Sequence, residues 1–196
     1  MTVERSTHWR PTDSEVEPDP VPPGEAEDAW ADEARRILGT VAGTYHRLID
    51  RTDLAAQVQQ ASGIHSSKNP HYWLSRVLAQ VAAVNVLEHE PPLTALVVHR
   101  QTGAVGEDYD EVLRLTGAAP IDDELAREKH AAAARMDCYR WAGAPMPASG
   151  GHPALSPRLD QRIVRDRKRA RTEAQPTVCP HCFMAIPPTG VCDNCG

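Results

Sequence analysis

The feature that most constrains this chain lies near its C-terminus, where four of its five cysteines stand in two Cys-x-x-Cys pairs. Cys179 and Cys182 form the first pair, Cys192 and Cys195 form the second, and nine residues separate them. A secreted disulfide framework spreads its cysteines through the fold, so this clustering favours a reducing compartment. Two such pairs supply the four thiolates that a tetrahedral metal ion takes as ligands. The spacing therefore predicts a metal site at the end of the chain.

The segment 176–196 resembles a zinc ribbon in its cysteine pattern and in the turn residues between the pairs, Pro187, Pro188 and Gly190. Four sulfurs complete a coordination shell, so we expect one structural Zn2+ with no open position for a substrate. His181 is a further candidate ligand that a four-sulfur set does not need. A rubredoxin-like iron site and a redox-active cysteine pair are the alternatives.

Charge is strongly segregated along the chain, although the whole sequence of 196 residues carries a formal net charge of only -6. Residues 1–35 contain ten acidic and three basic residues, and residues 158–171 contain seven basic residues against Asp160 and Asp166. As a helix, the basic segment would present guanidinium groups on nearly every face, and such groups suit nucleic-acid phosphates. The expected phosphate-binding residues here are Arg162, Arg165, Arg167, Lys168, Arg169 and Arg171. The alternative is a solvated linker helix, or one that folds against the acidic N-terminal tail.

Composition and apolar patterning divide the chain into five regions. The predicted regions are a disordered acidic tail over 1–24, a helical core over 25–142, a flexible Pro/Gly linker over 143–157, a basic helix over 158–175 and the ribbon over 176–196. The sequence has no apolar h-region at its start and no run of about 18 apolar residues, so we expect a soluble cytoplasmic protein without a membrane segment.

The core pattern is mainly helical. The first helix is predicted over 26–38, with Trp30, Ala34, Ile37 and Leu38 on one face and Gly39 as its stop. The second is predicted over 53–61, with Thr52 as N-cap and Gly63 just past its end. Further helices are predicted over 69–88, with Asn69 as N-cap and Pro70 in the first turn, over 108–115 and over 122–141. Residues 93–99 form a candidate buried strand, and residues 101–106 form a turn with two glycines. Cys138 is expected to be a small buried residue. The fold class is therefore mainly α, with a helical core, a small β-hairpin and the zinc ribbon.

The order of these elements is similar to that of a winged helix-turn-helix, with 53–61 as the first helix, 69–88 as the recognition helix and 93–106 as the wing. The pairs Thr44-Tyr45 and Leu54-Ala55, and the run 97–100 followed by Gly103, resemble the DNA-binding domain of alkyltransferase-like proteins. That family has a Pro-Cys-His-Arg site, but Val97 and Val98 replace its Pro and Cys here, so alkyl transfer is not implied. The resemblance implies that Arg76 and Gln80 face DNA. The alternative is that 69–88 is a buried central helix.

These patterns favour a DNA-binding or regulatory accessory protein with one structural zinc ion. One alternative is an adaptor that binds a protein partner through the ribbon and uses no nucleic acid. Another is an enzyme whose site is assembled from core histidines and acids. No Gly-rich phosphate loop, nucleophile elbow or catalytic triad motif supports enzyme activity. A pocket that brings together three or more of the core histidines and acids would favour the enzyme alternative.

Overall fold

The computed structural model describes residues 7–12, 18–173, 178–186 and 190–195. Its chain divides into two compact units, Met1–Leu159 and Asp160–Gly196. The helices, in chain order, are α1 (Pro23–Ala42), α2 (Arg51–Ser62), α3 (Leu74–Leu87), α4 (Asp110–Leu115), α5 (Glu124–Trp141) and α6 (Pro157–Glu173). The mainly α fold class with a small β component is confirmed. Within the described residues, no helix is both long and apolar enough to cross a membrane.

The core of the larger unit forms where α1 packs against α2 and α3. Trp30 and Trp73 are completely buried at its centre, with their rings 4.2 Å apart. The indole N–H of Trp30 donates to the carbonyl of Ile64 at 3.0 Å, so the large apolar ring is buried without leaving its polar atom unpaired. Cys138 is also fully buried, as predicted.

Helix α1 is longer than the sequence predicts, because Gly39 lies inside it and does not end it. A glycine inside a helix costs about 1 kcal/mol relative to alanine. Val41 and Ala42, which follow it, are buried in the core, and their burial offsets that cost. The helix ends at Ala42, with Gly43 as its C-cap.

Helix α2 starts two residues before the predicted helix. Its N-cap is Asp50 and not Thr52, since one Asp50 carboxylate oxygen accepts from the backbone N–H of Thr52 at 2.9 Å and of Asp53 at 3.0 Å. At the other end Gly63 takes the left-handed conformation with φ of 68°, as a glycine that closes a helix commonly does.

The predicted helix over 69–88 is two elements. The Asn69 side chain does accept from the N–H of His71 at 3.0 Å, but Pro70 opens only a short 3-10 turn, Pro70–Tyr72. At Trp73 the backbone leaves the helical region, with φ of -125°, and α3 follows. Burial of the Trp73 ring accompanies this break in the helix.

Two small sheets join distant parts of the larger unit. In the first, β1 (His8–Arg10) lies between β2 (Asp19–Pro20) and β4 (His65–Ser66), and both pairings are antiparallel. In the second, β3 (Ile49–Asp50) pairs in parallel with β5 (Val97–Val98).

The first sheet shows order in two parts of the tail that was predicted to be disordered over 1–24, residues 7–12 and 18–24. Residues 1–6 and 13–17 lie outside the described part of the chain, but His8 and Val21 are each 1% exposed. The ring of His8 packs edge-on against Trp30 at 5.2 Å, so this acidic segment contributes to the core.

The second sheet corrects the prediction of a wing over 93–106. Leu93–Leu96 is a buried 3-10 turn, and β5 then pairs in parallel with β3, whereas a wing needs an antiparallel hairpin. Of the two glycines in the predicted turn, only Gly103 takes a positive φ, at 73°.

The predicted linker over 143–157 has no helix or strand until α6 begins, but hydrogen bonds hold it to the larger unit. The Tyr45 hydroxyl accepts from the N–H of His152 at 2.8 Å, and the Ser156 hydroxyl donates to the carbonyl of Gly103 at 2.5 Å. Ser156 also accepts from the N–H of Leu159 at 3.2 Å. The segment is therefore an ordered part of this unit, which corrects the prediction of a flexible linker.

Candidate metal centre

The sulfur atoms of Cys179, Cys182, Cys192 and Cys195 all lie within 4.8 Å of one another in the smaller unit. The separation is 3.9 Å between Cys179 and Cys195, and 3.5 Å between Cys182 and Cys192. Tetrahedral zinc with Zn–S distances of about 2.3 Å places its sulfurs about 3.8 Å apart. The four sulfurs therefore have the spacing of a metal-binding group, as the sequence predicts.

A short backbone turn positions the first cysteine pair. The N–H of Cys179 donates to the carbonyl of Met184 at 2.8 Å, and the N–H of Phe183 donates back to the carbonyl of Cys179 at 2.8 Å. Val178 and Ala185 form an antiparallel bridge just outside this turn. Phe183 takes the left-handed region with φ of 56°, which reverses the chain directly after Cys182.

Backbone N–H groups point at the sulfurs of this pair and favour the thiolate form, which is the form that binds metal. The N–H of Met184 next to Cys182, together with the neighbouring sulfurs, lowers the pKa of Cys182 to about 6. The N–H groups of Cys182 and His181 lower the pKa of Cys179 below its usual value. His181 thus affects the pKa of Cys179 through its backbone N–H. Its imidazole is not part of the four-sulfur group.

The second pair is held by a tighter turn. The N–H of Cys195 donates to the carbonyl of Cys192 at 3.4 Å, and Gly190 precedes the pair with a left-handed φ of 78°. The predicted turn residues Pro187 and Pro188 lie outside the described part of the chain.

Burial differs across the four cysteines. Cys179 is 2% exposed and Cys192 is 9% exposed, whereas Cys195 lies at the surface. All four cysteines are free of disulfide bonds. A metal ion that takes four protein ligands here has no position left for water or substrate, so the group can organise the fold but cannot activate a substrate directly.

The basic residues of α6 are presented to solvent. Arg165, Arg167, Lys168, Arg169 and Arg171 are exposed, and Arg162 is half-buried. Within the helix, Arg165 lies 3.6 Å from Asp166, and Arg169 lies 2.7 Å from Glu173. Both pairs are well exposed, so water and salt screen them and they compete weakly with an external phosphate.

The other two predicted nucleic-acid residues are placed differently. Arg76 forms an ion pair with Glu27, and Gln80 donates to Asp28 at 3.1 Å, so both side chains pair with α1. Leu74, Val77, Leu78 and Val81 on the same helix are buried in the core. Helix α3 is therefore a central packing helix, as in the alternative to a recognition helix, and its polar side chains Arg76 and Gln80 pair with acidic residues of α1.

A group of exposed apolar side chains lies beside the cysteines and was not predicted from the sequence. Phe183 is 79% exposed, Met184 is 60% exposed, and Val178 and Val191 are each more than half exposed. The sequence does contain a signal for this feature, because a segment of about twenty residues is too short to bury several large apolar side chains around a metal site.

The chain matches no protein-family model, and no curated protein or solved structure matches it.

Proposed function

We propose that this chain is a DNA-binding or regulatory accessory protein whose smaller unit is held together by one structural zinc ion. The observation that carries this proposal is the exposure of the basic residues along α6, in the same unit as a four-sulfur metal group. The proposed phosphate contacts come from Arg165, Arg167, Lys168, Arg169 and Arg171, together with Arg162. No DNA contact is assigned to Arg76 or Gln80.

Zinc is the proposed metal because four thiolates in a tetrahedral arrangement are its common structural ligand set. Iron also binds four cysteines, but zinc needs no redox partner and suits a site with a purely structural role. Cysteines kept as thiolates require a reducing compartment, which agrees with the expected cytoplasmic location.

DNA binding by α6 would be electrostatic and independent of base sequence. Each phosphate that a basic side chain neutralises releases condensed counterions, so affinity falls as salt rises, with a log–log slope of about -0.9 per phosphate contact. Several exposed arginines and one lysine would therefore give a steep salt dependence. Sequence preference would have to come from other contacts.

The test is fluorescence anisotropy of a labelled random DNA duplex with the zinc-loaded full chain at several salt concentrations. A variant with Arg165, Arg167, Lys168 and Arg169 changed to Gln is expected to bind at least 10-fold more weakly and to show a shallower salt slope by about 3 to 4 units. The matched control changes four exposed arginines of the larger unit, Arg36, Arg47, Arg114 and Arg140, to Gln.

Both variants lose four positive charges, so a general effect of net charge would weaken binding equally in the two. The proposal requires the α6 variant to lose much more affinity than the control. Equal losses, or unchanged binding by the α6 variant, would show that α6 is not the DNA contact.

A second candidate is a protein-interaction adaptor, which the exposed Phe183 and Met184 favour. Large apolar side chains at a surface commonly mark protein contacts. If the α6 variant binds DNA normally while Phe183→Ala abolishes capture of a purified partner protein, the adaptor function is the better account.

A further inference from the structure

The parallel pairing of β3 and β5 brings two distant residues to one edge of the larger unit. Ile49 is opposite Val97 and Asp50 is opposite Val98. Arg51 directly follows β3, and His99 directly follows β5. Because the strands are parallel, both residues leave the sheet at the same end.

Three charged or titratable side chains meet there. Arg51 Nη1 lies 2.6 Å from Asp108 Oδ2, and Arg51 Nη2 donates to the Ser75 hydroxyl at 3.0 Å. A Cβ atom on Gly106 would lie 2.3 Å from Asp108 Oδ1 and 2.5 Å from His99 Nε2. Glycine is therefore required at position 106 for the carboxylate and the imidazole to approach each other.

This cluster lines a surface cleft with two lobes, one of about 520 Å3 and one of about 360 Å3. Three residues line both lobes, Arg51, His71 and His99, and we refer to them together as the ridge. Cavities of several hundred Å3 hold small organic ligands in proteins. The structure thus brings His71, His99 and Asp108 to one pocket. The sequence alone could not show that these side chains lie close together.

The two lobes differ in chemistry. The larger lobe has more acceptors than donors, with the carboxylates of Glu107, Asp108, Asp122 and Glu124 and the guanidinium of Arg127 along its wall. The smaller lobe contains no carboxylate among its described lining residues. Its donors, in addition to the shared ridge, are Asn69, Gln101 and Arg100, whose half-exposed guanidinium also pairs with Asp50 and Asp53 beside the lobe. The backbone N–H groups at the start of α2 are already capped by Asp50, so side chains must supply the donors.

Burial, and then the nearby Arg51 charge, lower the pKa of His99 below its usual value. A lowered pKa favours the neutral imidazole, which presents one donor and one acceptor nitrogen. Such a group on the ridge suits a ligand with both hydroxyl and phosphate oxygens.

We propose that this cleft binds a ligand of mononucleotide size, with its phosphate in the smaller lobe and its hydroxyl or amino donors against the carboxylates of the larger lobe. A nucleotide combines these two ends, which neither inorganic phosphate nor a nucleoside does alone. It can come from two sources, a free nucleotide or the 5′-phosphorylated end of a nucleic-acid strand. The site involves no residue of α6 and does not depend on the function proposed for that helix.

Isothermal titration calorimetry of the zinc-loaded full chain tests the proposal with adenosine monophosphate, adenosine and inorganic phosphate as separate probes. Adenosine monophosphate is expected to bind at least 10-fold more tightly than either fragment. A 5′-phosphorylated oligonucleotide that binds more tightly than adenosine monophosphate would identify a strand end as the source, and tighter binding of the mononucleotide would identify a free nucleotide. No heat with any phosphate-bearing probe at millimolar concentration, or equal affinity for adenosine and its monophosphate, would overturn the proposal.

Two variants test whether adenosine monophosphate binds in the cleft. Gly106→Ala is compatible with the backbone, whose φ is -83°, but its methyl group displaces His99 and Asp108. His71→Ala removes an exposed side chain from the ridge, so it tests the site even if Gly106→Ala fails to fold. Each variant that folds is expected to lower the affinity for adenosine monophosphate at least 10-fold.

The matched controls are Gly24→Ala, where the added methyl meets no atom within 4 Å, and His89→Asn at an exposed position outside the cleft. Both controls should bind as the unchanged protein does. Unchanged affinity in His71→Ala, or equal losses in the controls, would contradict the assignment of the cleft.

Discussion

Glu128 and Arg135 form an ion pair inside the larger unit, with Arg135 Nη1 2.6 Å from Glu128 Oε1 and both side chains at most 2% exposed. Arg135 Nε also donates to the carbonyl of Ala95 at 2.7 Å, and the second Glu128 oxygen accepts from the N–H of Val105 at 2.8 Å. The pair therefore connects α5 to the segment that carries β5 and the turn after it. This segment positions His99 and Gly106 in the cleft.

Removing one member of this pair should be costly. Glu128→Ala leaves the Arg135 charge buried without its partner, and breaking a buried pair in this way typically costs about 3 to 5 kcal/mol in the free energy of unfolding. Urea denaturation measures the change. Asp137→Ala, which breaks an exposed pair with Arg140 on the same helix, is the control and should cost less than about 1 kcal/mol. Similar losses for the two variants would contradict the structural role of the buried pair.

Asp50 has two roles at the start of α2, since it caps the helix and pairs with Arg100 at 2.9 Å. Asp50→Ala should lower the free energy of unfolding by about 1 to 2 kcal/mol, mainly through loss of the cap. Asp53→Ala also removes a partner of Arg100 but leaves the cap in place, so its effect should be smaller. If thermal denaturation shows the reverse order, Asp50 is not the cap that stabilises this helix.

Glu90 makes the stability of the larger unit depend on pH. Hydrogen bonds from Arg35 and then from Asn85 lower the pKa of Glu90 below its usual value. A carboxylate with a lowered pKa in the folded state contributes stability above its unfolded pKa of about 4.5, and this contribution is lost as the pH falls through the folded pKa. Glu90→Gln should therefore be less stable than the unchanged chain at pH 7.

The difference in unfolding free energy between Glu90→Gln and the unchanged chain should shrink as the pH falls from 5 to 3. Chemical denaturation at several pH values measures it. Glu33→Gln is the control, because Glu33 pairs with Arg36 in a more exposed position on α1. A difference that stays constant over this range would show that the Glu90 contacts do not stabilise the fold through charge.

The sequence predicted those features whose causes are local. Gly63 ends α2 because glycine adopts a positive φ without steric cost. The spacing of the two Cys-x-x-Cys pairs predicted that the four sulfurs lie close together, because four thiolates in a reducing compartment commonly bind one metal ion. The periodic apolar residues of α1 predicted its buried face, and Trp30, Ala34 and Leu38 are all fully buried.

Features that depend on long-range contacts were not predicted. Strand β1 has only three residues in an acidic segment, and its order comes from pairing with His65 and Ser66 and from burial of His8. Residues 93–98 have the apolar composition of a strand, but most of them form a buried 3-10 turn, a difference that composition does not encode. The approach of Arg51 to His99 follows from strand register, and no pattern near either residue indicates it.

The central claim is that Cys179, Cys182, Cys192 and Cys195 hold one zinc ion, and metal analysis of the purified full chain by inductively coupled plasma mass spectrometry tests it most directly. We expect one zinc per chain, retained in Cys138→Ser, whose altered cysteine is buried in the larger unit, and lost in Cys182→Ser. A chain that contains no metal, that contains iron in place of zinc, or that keeps its zinc in Cys182→Ser would contradict this account.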